Sequence, residues 1–102
     1  MGIVVETSDD ATIIHVNTRL ISGEEHFNEF SLISEHIADF KSQNVVMDLL
    51  KCNYLDTRVI AIVLDMHQTL RKLNRTLSLT NVSPDIVELL KGINLDKIIR
   101  IN

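Results

Sequence analysis

The stretch Val45–Leu64, VVMDLLKCNYLDTRVIAIVL, decides the fold. It opens on an apolar run carrying one acid, Val45-Val46-Met47-Asp48-Leu49-Leu50, and passes through a short polar link. Leu55-Asp56-Thr57-Arg58 comes next, and apolar residues then return at helical spacing. Val45–Leu50 shows no clean alternation. A strand apolar on both faces belongs in the middle of a sheet, either covered on both sides or in a parallel arrangement. From Thr57 to Asn74, residues Ile60, Val63, Met66, Leu70 and Leu73 mark one stripe of an amphipathic helix. Arg58, Asp65, Gln68, Arg71 and Lys72 fall largely outside that stripe and are expected to face solvent. The junction is therefore a buried strand, a loop, and a helix that opens on a carboxylate and a hydroxyl.

Upstream, Ile3–Glu6 and Ala11–Thr18 are β-rich runs separated by the turn cluster Ser8-Asp9-Asp10, which predicts a β-hairpin. Arg19–Gly23 is a connector. Phe27, Phe30, Ile33, Ile37 and Phe40 then recur at spacings of three and four, predicting a helix over Glu24–Ser42. Ser22 is its candidate N-cap, and Glu24 and Glu25 place negative charge where the helix dipole favours it. Downstream, Arg75–Thr80 is a strand candidate. Ser83-Pro84-Asp85 is the clearest helix start in the chain: a capping serine, a proline at the first helical position, then an acid. Gly92 is expected to end that helix as a left-handed cap, with Ile93 beyond it, and Lys97–Ile101 is expected to be a last strand. The order β-β-α-β-α-β-α-β implies an α/β fold: a mixed, mainly parallel sheet with an antiparallel hairpin at one edge and helices packed on it.

Composition bounds what such a domain does. A chain of 102 residues makes one domain with a single core, here residues 1–102. Its net charge of −4 argues against nucleic acid as a partner, since such binders show a basic patch or stripe. No apolar run approaches the roughly 20 residues needed to enter and cross a bilayer. The start, Met1-Gly2-Ile3-Val4-Val5-Glu6, lacks the basic-then-apolar order of a secretory signal, and Glu6 stands where a myristoylation pattern wants Ser or Thr. A single cysteine, Cys52, excludes an internal disulfide and fits the cytoplasm.

Catalytic patterns are absent from the sequence. The three glycines, Gly2, Gly23 and Gly92, form no nucleophile elbow and no phosphate-binding loop. His26 and Glu29 sit one turn apart on the first helix, but no further Cys or His completes a metal set. His67 lies beside a core stripe, and Cys52 has no neighbouring base. No catalytic residue, metal or cofactor is expected, and the chain points to a binding module. Its candidate address is Asp56-Thr57-Arg58. Asp or Thr before an apolar helix is first of all an N-cap, stabilising by about 1 kcal/mol. A phosphate on Thr57 would additionally meet the free N–H groups and positive dipole end of the helix, and Arg58 could add a charge-assisted contact.

At these residues the chain resembles the STAS domain family, which includes bacterial anti-sigma factor antagonists and the cytoplasmic tails of sulfate transporters. The resemblance runs from the opening hairpin to the last strand. Its most specific part is Val46-Met47-Asp48-Leu49 followed, eight residues after Asp48, by Asp56-Thr57. Asn81-Val82-Ser83-Pro84 with Val87, Leu89, Leu90, Gly92, Leu95 and Lys97-Ile98-Ile99 is similar to the family's third helix and final strand. In the antagonists, a kinase that doubles as the anti-sigma factor phosphorylates the hydroxyl at this position; the unphosphorylated form binds the kinase and frees the sigma factor. The resemblance thus implies Thr57 as acceptor, with Asp56, Arg58, Ala61 and Asp65 forming the docking surface for a protein partner. It equally accommodates an unphosphorylated subunit that scaffolds a signalling complex or serves a lipid-transport ATPase.

Overall fold

In the computed structural model, which describes residues 2–102, the chain builds one five-stranded sheet and a separate two-stranded ladder. The strands are β1 (Ile3–Thr7), β2 (Ala11–Val16), β3 (Leu20–Ile21), β4 (Asn44–Asp48), β5 (Tyr54–Leu55), β6 (Thr76–Thr80) and β7 (Arg100–Ile101). The helices are α1 (Gly23–His36), α2 (Thr57–Lys72) and α3 (Pro84–Gly92). The large sheet runs β1-β2-β4-β6-β7, and only the β1–β2 pair is antiparallel. This is the α/β class with an N-terminal hairpin that the element order implies. β4 lies at its centre, parallel to both neighbours, as its unalternating sequence requires.

The crossovers from β2 to β4 to β6 to β7 all step the same way across the sheet. Right-handed connections then stack every helix on one face. Burial agrees. Ile14, Val16, Val45, Met47, Leu77 and Leu79 share one buried cluster with Phe30 of α1, Met66 and Leu70 of α2, and Ile86 and Leu90 of α3. The alternate residues Ile13, His15, Val46, Asp48, Ser78 and Thr80 point to the opposite face and are only half-buried. Each fully buried Leu, Ile or Phe is worth about 1.5–3 kcal/mol, so this single interface between sheet and helices carries most of the stability.

Local signals fix the ends of the elements. Ser83 accepts a hydrogen bond from Ile86 N at 3.4 Å and Pro84 takes the first helical position, so α3 starts where the sequence places it. Four expectations need correction. α1 ends at His36, and Ile37–Asp39 tightens into one short turn, leaving Phe40 extended. The apolar spacing runs on through Ile37, which is buried, so periodicity does not register the change. Gly92 is not a left-handed cap: it closes the helix, and the positive φ of 61° falls on Asn94. The last strand is Arg100–Ile101 alone, because Leu95 and Ile99 bury themselves around a helical turn at Leu95–Lys97. Leu73, assigned to the core stripe of α2, lies past the helix end and is 44% exposed.

Candidate functional site

The loop after β4 delivers the site. Asp48, at the end of β4, accepts hydrogen bonds from Leu50 N at 3.0 Å and Asn81 Nδ2 at 3.0 Å. Its other oxygen lies 3.1 Å from His15 Nδ1, and His15 Nε2 lies 2.9 Å from Glu6 Oε1. The Asn81 bond, followed by those of Leu50 and His15, holds the Asp48 carboxyl below its usual range although burial opposes this. One ionised group thus ties β2, β4 and the β6–α3 connection to the start of the loop. The strand register assembles it: His15 pairs with Asp48 across the parallel ladder.

The loop then crosses to the segment preceding α1. β3 and β5 pair in parallel, Leu20 with Tyr54 and Ile21 with Leu55. Asn53 N donates to Arg19 O at 2.7 Å and Asp56 N to Ile21 O at 2.8 Å. This small ladder sets the N-terminal ends of α1 and α2 side by side. Arg58 shows the result: its guanidinium lies 3.9 Å from Glu24 Oε2 and sits over the Phe27 ring at 5.1 Å from the centroid. Arg58 is therefore not a freely extended cation, although its side chain is 52% exposed. Both interactions are surface contacts worth about 0–1 kcal/mol each.

Asp56 is the N-cap of α2. Its backbone is extended and its carboxylate accepts from Arg58 N at 2.8 Å. That satisfies one orphan donor of the first turn, whereas the N–H groups of Thr57 and Val59 have no acceptor within the helix, as is normal at such an end. Thr57 is exposed at the first helical position, and Ala61 and Asp65 continue its exposed row at spacings of four. Asp56, Thr57, Arg58, Ala61 and Asp65 thus share one end and one outer face of α2.

Sequence reasoning missed the rim. Leu20 and Tyr54, register partners in the small ladder, are 54% and 45% exposed, and Leu50 in the same loop is 67% exposed. Together they put apolar surface on the loop and ladder that lead into α2. For Leu20 and Tyr54 the available signal was an apolar residue in an otherwise polar connector, whereas Leu50, read as the end of the central strand, lies beyond it because the strand stops at Asp48. Ser22, the expected cap of α1, occupies that position without a side-chain cap bond; Nδ1 of His26 contacts its backbone instead, 2.8 Å from Ser22 O. His26 and Glu29 gather no third ligand, and among the described residues no three His, Cys, Asp or Glu side chains converge. Cys52 is buried, and burial pushes its thiol up from its usual range. No helix among the described residues is long and apolar enough to cross a membrane.

A profile of the STAS domain matches residues 2–102. The chain belongs to the STAS domain family. Solved STAS-like structures agree in fold. The anti-sigma factor antagonist SpoIIAA in its unphosphorylated form superposes with a TM-score of 0.81 at 14% identity, covering 98% of this chain and 87% of that one. The phosphorylated form of SpoIIAA, a Bacillus cell fate determinant, gives 0.74 at 15% identity over 98% and 90%. A candidate anti-sigma factor antagonist from Thermotoga maritima gives 0.80 at 17% identity over 97% and 84%. No curated protein matches the chain in sequence. This STAS domain therefore shares with those structures its sheet order and helix placement.

Proposed function

We propose that this STAS domain is a regulatory protein-interaction module of the anti-sigma factor antagonist type, a binding protein rather than an enzyme, switched by phosphorylation of Thr57. The observation that carries this is the setting of Thr57. It is an exposed hydroxyl at the first position of a capped helix, with two N–H groups of the first turn still open and exposed apolar Leu20, Tyr54 and Leu50 on the ladder and loop that lead into that helix. Apolar surface with a polar rim is what a protein partner buries. A phosphate placed there adds roughly −2 of charge to that surface. Asp56, Arg58, Ala61 and Asp65 complete the docking face, and the partner is a bacterial serine/threonine kinase that serves as an anti-sigma factor.

The test compares Thr57→Ala and Thr57→Glu for binding to the kinase or anti-sigma factor of the native host. Thr57→Ala is expected to bind like the unmodified chain, and Thr57→Glu to bind at least about tenfold more weakly, a difference of about 1.4 kcal/mol. Equal affinities sink the switch. Intact-mass analysis of protein from its host is expected to show one phosphate mapping to Thr57.

One observation favours a second reading. Arg58 is drawn toward Phe27 and Glu24, so the cation nearest Thr57 is already engaged. An unphosphorylated STAS subunit, scaffolding a signalling complex or serving a lipid-transport ATPase, would use the same apolar rim for constitutive binding. It predicts unmodified Thr57 and tight association insensitive to Thr57→Glu.

A further inference from the structure

The opposite pole of the domain carries a groove that the Thr57 face does not use. It opens where β2, β4 and β6 begin, beneath the end of α2, and has a volume of about 620 Å³. That volume lies within the range of about 300–1,000 Å³ usual for small-molecule sites. The groove exists because β7 pairs with β6 only at Ser78 and Leu79, leaving Thr76 and Leu77 without an outer strand. The sheet face opposite the helices is also uncovered there. On that face its floor is the half-buried, apolar Val46, with Ile98 at 50% exposure on the rim.

The charge of its wall is unlike the rest of the molecule. The chain carries 14 acids against 10 Lys and Arg, yet Arg71, Arg75 and Arg100 converge on the groove and no carboxylate side chain lines it. His67 and Arg71, four residues apart, share one side of the end of α2, and Arg75 follows just beyond the helix. Burial and the neighbouring Arg71 both favour the neutral form of His67. Arg75 is fixed by donating to the carbonyls of Phe40 and Ala38. Arg71 and Arg100 enter no ion pair among the described residues. A free α-carboxylate on Asn102, at one end of the groove, would offset only one of these three cations.

We propose that this groove binds a small organic phosphate monoester, its phosphoryl group held by Arg71, Arg75 and Arg100 and its apolar body lying on Val46 and Ile98. Guanidinium forks match phosphate oxygens in pairs, and a dianion among three such cations relieves their mutual repulsion. A groove of about 620 Å³ is sized for a compact ligand. The site is independent of Thr57: Arg71 lies roughly 20 Å from Thr57 along α2 by the helical rise.

The test is an amide-resolved NMR titration of the full chain with 1-naphthyl phosphate, with inorganic phosphate and 1-naphthol as separate arms. Saturable shifts confined to residues 67–78 and 98–102 and to the strand starts around Ala11 and Asn44–Val46 are expected, at an affinity at least about tenfold above either arm, a difference of about 1.4 kcal/mol. Arg71→Ala with Arg100→Ala is expected to weaken that binding by at least a further tenfold while the folded spectrum persists, since both side chains are exposed. Inorganic phosphate binding as tightly as the ester would mean an adventitious ion only, and 1-naphthol doing so would mean an apolar cleft only. Either result overturns the proposal. So does a spectrum unmoved by the ester, whether or not an acidic protein docks at the groove.

Discussion

Replacing Asp56 separates the two things its carboxylate does. As a hydrogen-bond acceptor it caps Arg58 N at 2.8 Å; as a charge it faces the positive end of α2. Asp56→Ala removes both. The lost cap costs about 1 kcal/mol, and the lost charge–dipole attraction about 0.3–1 kcal/mol. The 3.8 Å approach to Arg58 Nε adds almost nothing, because the arginine side chain is half exposed. The total is about 1.3–2 kcal/mol, which for a domain of this size lowers Tm by roughly 5–16 °C. Asp56→Asn keeps a capping oxygen of nearly equal quality and loses only the charge, so it costs about 0.3–1 kcal/mol. The backbone bonds Asp56 N to Ile21 O and Ile60 N to Asp56 O survive in both variants, so the difference between them reports the side chain. Urea unfolding followed by circular dichroism measures both values. If Asn costs as much as Ala, the charge and not the cap holds the helix start. If Ala costs nothing, Asp56 does not cap α2 at all.

Two further substitutions test other parts of the structure. Gly92 closes α3 with an ordinary helical backbone, and an added Cβ would meet nothing within 4 Å, so Gly92→Ala is expected to stabilise by about 0.5–1 kcal/mol. A left-handed cap at this position would make the same change destabilising, and thermal unfolding decides between the two signs. The folded-state pKa of Asp48 lies below its value of 3.8 in the unfolded chain, so its stabilisation is complete above that pH and is lost as pH falls through the folded value. Asp48→Asn is accordingly expected to cost about 1.5–3 kcal/mol at neutral pH and to flatten the acid limb of the stability profile, as measured by denaturant midpoints from pH 2 to pH 6.

What could be seen in the sequence was whatever local chemistry specifies. The central strand, the two capped helices that follow it and the crossover order all come from residues adjacent in the chain, such as Ser83-Pro84 and Asp56-Thr57. What stayed hidden depends on pairing at a distance. A two-residue strand has no alternation to detect, so β3 and β5 exist only because Leu20–Ile21 and Tyr54–Leu55 meet across α1 and β4. The Glu6–His15–Asp48–Asn81 network is equally invisible, since strand register alone brings its members together. Thr57 was legible because a helix start is local. The apolar ladder that leads into it was not, because Leu20 meets Tyr54 only through the β3–β5 pairing.

The parallel arrangement also governs how the chain must fold. Ala11 pairs with Asn44, and Asn44 with Thr76, so each step across the sheet requires a whole helix to form and dock before the next strand finds its place. Only the β1–β2 hairpin and the three helices can form from neighbouring residues. Non-local pairing of this kind places two-state folding in the slower part of the range for small mixed domains. It also sets an order. β7, and the bond from Asn102 N to Leu79 O that fastens it, comes from the last residues described, so β6 keeps an open outer edge until the strand pairing farthest along the chain is made.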